Sequence, residues 1–169
     1  IKRIPNMIDP TLKISEESSQ ENGVDLLYVG RLTENKGVRY LVRAVSKLPS
    51  LYRLSIVGDG DRRAVLESLA TRLGVTDRVK FTGWVSYDDV GTAYAAADLF
   101  VHPGIWPEPF GRAVLEAMQA GLPVVCTDIG GPSEIVPNEE FLCAPRDPDA
   151  LAATIEAAAT SGDDIGERN

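Results

Sequence analysis

The sequence is poor in the residues that several kinds of chemistry need. Of its 169 residues only two are cysteine and one is histidine. Two thiols, Cys126 and Cys143, give no disulfide framework and no metal set, so buried free thiols in a reducing compartment are expected. With His102 as the sole histidine, no Ser–His–Asp or Cys–His arrangement stands out. A lone histidine at a strand end is more often a packing residue than a base. No stretch approaches the roughly 18 apolar residues of a membrane helix. No secretory leader is recognisable, and a start at Ile1 reads as a processed or excised piece.

Basic charge is also scarce. The formal net charge is −8 and the isoelectric point near 4.7, which argues against nucleic acid, because a phosphate backbone needs a basic surface. A small phosphate ligand needs only one or two placed cations and stays open. Of 17 basic residues, 12 are arginine. An acidic, lysine-poor surface fits plain solubility or a salt-rich cytoplasm.

What is present is an alternation of short apolar runs and helical patterns. Strands are expected at 25–30, 53–58, 78–82, 98–102, 123–126 and 140–144. Between them, helices are expected at 37–48, 62–73, from Ser86 onward, 111–120 and 149–158. Val38, Leu41, Val42, Val45 and Leu48 repeat at helical spacing, and Ser86 with Asp89 makes a capping-box pattern. Six strands joined through helices imply one α/β domain over 25–160, a parallel sheet with helices on both faces. Residues 1–24 precede it, with 15–23 polar and flexible in composition, and 161–169 follow as a polar tail expected to fray.

Such sheets bind ligands at the carboxyl ends of their strands, where strand order reverses. With order 3-2-1-4-5-6, that point brings together loops 30–37 and 102–111. The first reads Gly30-Arg31-Leu32-Thr33-Glu34-Asn35-Lys36-Gly37. A guanidinium fork and an ammonium beside a helix N-terminus suit a diphosphate, although both could be ordinary solvated cations. Lys36 is read as opening the next helix, where the helix dipole disfavours a cation unless an anion is bound. The second loop holds Glu108 between Pro107 and Pro109, followed by Phe110 and Gly111. The prolines stiffen the backbone, and amides entering a helix are free donors, so the loop could grip sugar hydroxyls or be only a stiff turn.

Glu116 sits in a helix among alanines, where a carboxylate needs a partner. Either Arg112 four residues earlier supplies it, or a ribose diol does. Val57-Gly58-Asp59-Gly60, Phe81-Thr82-Gly83-Trp84-Val85 and Gly130-Gly131-Pro132-Ser133-Glu134 are weaker signals; each fits a turn as well as a ligand, and Trp84 fits packing as well as base stacking. No cluster has metal-ligand spacing.

Taken in order, these motifs resemble family 4 of the retaining glycosyltransferases, with the two-domain B-type fold. The likeness rests on Gly30-Arg31-Leu32-x3-Lys36-Gly37, Val57-Gly58-Asp59-Gly60, Phe81-Thr82-Gly83, Glu108-Pro109-Phe110-Gly111-x4-Glu116 and Ala120-Gly121-x-Pro123-Val124. It implies a single Rossmann-like domain, the C-terminal half of such an enzyme, beginning after a hinge near Pro5-Asn6-x-Ile8-Asp9. It implies Arg31, Lys36 and Glu108 as the catalytic set. Gly30, Gly58, Trp84, Val85, Pro109, Phe110, Gly111, Leu115 and Glu116 would form the rest of the donor site. The implied activity is hexosyl transfer from a nucleoside diphosphate sugar, in the cytoplasm, with no cofactor and no essential metal. The implied partner is a missing N-terminal acceptor domain, without which the chain should not turn over and through which alone a membrane would be met. His102-Pro103-Gly104 departs from the family, which often has a small polar residue after the proline, and the tail stops short of its last helix. A non-catalytic nucleotide-binding or docking domain of the same fold is the competing reading. A phosphorylase-like member lacks a pyridoxal lysine site, and an NAD enzyme lacks Gly-x-Gly-x-x-Gly.

Overall fold

The computed structural model describes residues 23–166. The hinge-like segment at 5–9, and the polar stretch 15–23 apart from Gly23, lie outside the described residues. Six strands form one sheet: β1 (Val24–Val29), β2 (Tyr52–Val57), β3 (Val79–Gly83), β4 (Leu99–His102), β5 (Val124–Thr127) and β6 (Leu142–Cys143). Their order is β3-β2-β1-β4-β5-β6 and every ladder is parallel, as expected. Helices α1 (Val38–Lys47), α2 (Arg63–Arg72), α3 (Tyr87–Ala95), α4 (Arg112–Gln119), α5 (Gly131–Ile135) and α6 (Pro148–Gly166) connect and cover it.

Side chains alternate across the pleat, so each strand feeds two cores. Leu26, Tyr28, Leu54, Ile56, Leu99, Val101 and Val125 face α1, α2 and α6, meeting Leu41, Val45, Leu66, Leu69, Leu151 and Ile155. Leu27, Val57, Phe100, Val124 and Cys126 face the other way, meeting Tyr94 of α3 and Val114 and Ala117 of α4. This two-sided burial explains why the strands read as continuous apolar runs. Both cysteines are free and buried. Burial pushes the Cys126 thiol up to about 12 and the Cys143 thiol to about 11, so neither is a nucleophile at neutral pH.

Four local expectations change. Lys36 does not open α1: Glu34–Lys36 form a 3-10 turn, and Gly37, at φ 68°, breaks it from the helix that starts at Val38. Residues 131–135, where the sequence fitted a turn as well as a ligand loop, are the short helix α5, with a proline in its first turn and too little length to show a period. The sixth strand is shorter than expected, because Asn138 accepts the Glu140 amide and winds Glu139–Phe141 into a 3-10 turn. Finally, α6 runs on to Gly166, with the Thr160 and Ser161 hydroxyls donating to the Glu156 and Ala157 carbonyls one turn back. No helix among the described residues is long and apolar enough to cross a membrane.

Candidate functional site

The strand-order reversal lies between β1 and β4, and the two loops expected to meet there do meet. Ile105 donates its amide to the Asn35 carbonyl at 3.0 Å. A Cβ on Gly37 would stand 1.9 Å from the Pro103 carbonyl oxygen, so only glycine admits this approach. Across the junction, Lys36 Nζ donates to Glu108 Oε1 at 2.7 Å, and both side chains are largely buried, at 20% and 15% exposure.

Neighbouring loops brace this pair. Tyr28, buried in the sheet, donates its hydroxyl to the Arg31 carbonyl at 3.0 Å. Burial, reinforced by the Glu108 charge, raises that phenol's pKa, so it stays a neutral donor. The loop after β2 packs on the loop after β1: a Cβ on Gly58 would be 2.0 Å from the Gly30 carbonyl oxygen, and Leu32 donates to the Asp59 carbonyl. The loop after β5 clasps the Glu108 segment. Gly131 donates to the Glu108 carbonyl at 2.8 Å, and Gly130, at φ 71°, lies against Pro107 and Glu108. Thr127 donates to the Gly104 carbonyl at 2.6 Å, tying the start of the same loop to β5.

His102 belongs to this site, which its isolation in the sequence hid. Its Nε2 lies 3.8 Å from Glu108 Oε1, and its Nδ1 is buried without a hydrogen-bond partner. Burial first, and the nearby Lys36 charge, lower its pKa to about 4 against the opposing pull of Glu108, so it is neutral at pH 7. A neutral ring beside the ion pair leaves Glu108 with Lys36 as its cation.

Glu116 has a separate set of partners. Tyr94, reaching across from α3, donates its hydroxyl to Glu116 Oε2 at 3.0 Å. Arg112 Nη2 stands 3.8 Å from Oε1, but Arg112 is 76% exposed and screened by water. The expected i−4 pairing therefore exists only as a loose contact, and Oε1 keeps acceptor capacity. Tyr94 was not read from the sequence; the need of Glu116 for a donor pointed to some partner, but its identity depends on α3 packing beside α4.

The remaining predicted residues sort by exposure. Arg31 is exposed and has no partner for its guanidinium among the described residues. Pro109 and Phe110 are exposed, Trp84 is 78% exposed, and Leu115 is half-buried on α4. Packing does not account for Trp84, whereas Val85 beside it packs on the second core. The amides of Phe110 and Gly111 have no acceptor among the described residues. Helices α1, α4 and α5 all begin at this junction on glycine N-caps without a side-chain cap, but the first amide of α5 is already donated to Glu108, and α3 begins elsewhere under the Ser86 hydroxyl. Two uncapped N-termini, Arg31 and Lys36 together present positive potential suited to a bound anion. No group of three or more His, Cys, Asp or Glu among the described residues is placed to hold a metal ion.

A doubly wound domain with cations and uncapped helices at its switch point suits a nucleotide or another phosphate ligand, and comparison with known proteins narrows the class. The model of the family described as glycosyl transferases group 1 matches residues 11–167, and the chain belongs to that family. An uncharacterised glycosyltransferase of Methanocaldococcus jannaschii is 42% identical over 137 residues, 79% of this chain and 35% of its own length. A 2-deoxystreptamine glucosyltransferase of Streptomyces kanamyceticus is 37% identical, over 81% of this chain and 36% of its own. Among solved structures, HepE of Anabaena in complex with UDP superposes with a TM-score of 0.76 at 32% identity, covering 87% of this chain and 44% of that one. The same protein with UDP-glucose gives 0.75 at 33% identity, with the same coverage. The chain thus spans about a third of the length of these curated relatives and under half of HepE.

Proposed function

We propose that this chain is the donor-binding domain of a retaining, family 4 glycosyltransferase that moves a hexosyl group from a nucleoside diphosphate sugar to an acceptor. The observation that carries the reading is the Lys36–Glu108 ion pair at the switch point, flanked by amides with no acceptor among the described residues. In this reading the diphosphate takes over Lys36, joined by the exposed Arg31, and both cations oppose the charge that builds on the departing diphosphate. Glu108, released from Lys36, and the Phe110 and Gly111 amides hold the sugar. Glu116 holds the ribose through Oε1 while Tyr94 fixes Oε2, and the exposed Trp84 and the Val85 backbone meet the base. Gly30 and Gly58 keep the loops close enough for backbone contact, and Pro109 and Leu115 shape the wall.

The acceptor site and the remaining catalytic groups lie, in this proposal, in a second domain that this chain does not supply. The chain alone binds donor without turning it over, and any approach to a membrane runs through that other domain. A cytoplasmic setting fits the two free, buried thiols. No cofactor or essential metal is assigned, because Arg31 and Lys36 supply the positive charge.

Calorimetry with UDP, the nucleotide held by HepE, tests the proposal. UDP should bind, and Glu116→Ala should weaken it by about tenfold or more, the loss of a charge-assisted bond to a diol. Binding unaffected by Glu116→Ala would remove the ribose role. In the two-domain enzyme, Lys36→Ala should lower turnover at saturating donor by about 100-fold or more; near-normal turnover would end its catalytic assignment.

A further inference from the structure

On the face of α1 and α2 lies a shallow, open groove that the donor site does not use. Four of the chain's twelve arginines line it: Arg39 and Arg43 from α1, and Arg62 and Arg72 from the start and the last turn of α2. Its floor is apolar, with Val65, 45% exposed, lying over the buried Val38, Leu66 and Leu69. Glu34 is the one carboxylate in the lining. It is shared by two guanidiniums, with Arg39 Nη1 at 2.8 Å from Oε1 and Arg62 Nε at 3.2 Å from Oε2. The Arg62 contact is too poorly aligned to be a hydrogen bond, so its Nε is a buried donor left without an acceptor. Asp61 stands 3.9 Å from Arg62 and is 71% exposed. Arg43 and Arg72 have no partner among the described residues, although the chain carries 25 carboxylates and is acidic overall.

We propose that this groove is a second ligand site, which takes a soluble organic phosphate with a compact apolar or ring-shaped body. The phosphate would meet the guanidiniums, whose planar forks match its oxygens, and the body would cover the floor. A cation excess in one concave place on a protein of net charge −8 is a local device and not a consequence of composition. The same net charge disfavours an anionic membrane surface, which would be engaged by a broad basic face and repelled by the rest of the chain. The site is independent of the donor reading, and Thr33 and Glu34, on the loop that carries Lys36, line its edge.

The test is a titration of the isotope-labelled chain with phenyl phosphate, followed through backbone amide shifts. Saturable shifts should appear at Val65, Leu66 and Leu69, and R43E/R72E should weaken that binding by about tenfold or more. Arg43 and Arg72 are exposed, so the variant should keep its thermal midpoint. Should it not, Arg43→Gln alone is read the same way, with a several-fold loss expected. Shifts confined to residues 30–37, equal affinity in wild type and variant, or no saturable shift would each overturn the proposal. So would retention on phosphatidylglycerol vesicles, lost in R43E/R72E, without phenyl phosphate binding, because it would assign the groove to a membrane.

Discussion

The two faces of the sheet are built to different ends. The face under α1, α2 and α6 buries 25 residues in one continuous apolar cluster. The face under α3, α4 and α5 buries nine, and two features of it are polar: the Tyr94 hydroxyl and the Glu116 carboxylate it reaches. The first face supplies most of the apolar burial and so most of the driving force for folding. The second gives up apolar area to place a carboxylate on α4 next to the loop that holds Glu108. The ion pair itself lies at the rim, where loops from both sides of the switch point meet. Stability and ligand chemistry should therefore be separable by substitution.

The largest effect should come from the first face. Leu41 is fully buried against the sheet, and Leu41→Ala should cost about 2–5 kcal/mol through lost burial and a residual cavity. Urea unfolding measures this. Under conditions where the variant remains folded, its affinity for UDP should match wild type. A parallel loss of affinity would mean that the first face also shapes the site, and the division of labour would fail.

The rim gives the next effect, through pH. Burial lowers the pKa of His102 to about 4 in the folded chain, against 6.5 for an unburied histidine. Above pH 6.5 the ring is neutral in both states and contributes no slope. As pH falls, the unfolded chain takes up a proton that the folded chain refuses, so stability drops until the folded ring also protonates near pH 4. The whole loss is about 3 kcal/mol, and it levels off below that point. His102→Asn should flatten this part of the curve, which unfolding free energies measured from neutral to acid pH would reveal. An unchanged slope would mean that other groups set the acid limb.

The same contrast governs what could be read from the sequence. The strands and their two-sided cover were legible because buried strands and helix periods are local patterns, whereas the strand order followed from the common order of doubly wound sheets. Lys36 and Glu108 were legible as a facing pair because topology alone brings their loops together. The start of α1 was not, because Gly37 in the left-handed region separates a 3-10 turn from the helix without altering the apolar spacing. Tyr94 and His102 escaped for a different reason. Their importance lies in contacts with Glu116 and Glu108, set by packing between elements; His102, although it opens the 102–111 loop, reads from the sequence as a packing residue.

The smallest effect is the one that most sharpens the comparison, because it lies inside the second face. Tyr94 is 4% exposed, its ring packs against Phe100 with centroids 5.9 Å apart, and its hydroxyl ends on Glu116. Tyr94→Phe keeps the ring and removes only the hydroxyl. Glu116 remains 17% exposed, so water can replace part of the lost bond and the stability cost should stay near about 1 kcal/mol. If Glu116 takes the ribose through Oε1, freeing Oε2 lets the carboxylate rotate, and UDP affinity should fall about three- to tenfold. A second substitution separates orientation from charge: in a Glu116→Ala background, Tyr94→Phe should have no further effect on affinity, because the hydroxyl then has no carboxylate to orient. Additive losses in that double-mutant cycle would mean that Tyr94 acts on the ligand by another route, and the second face would be a structural core like the first.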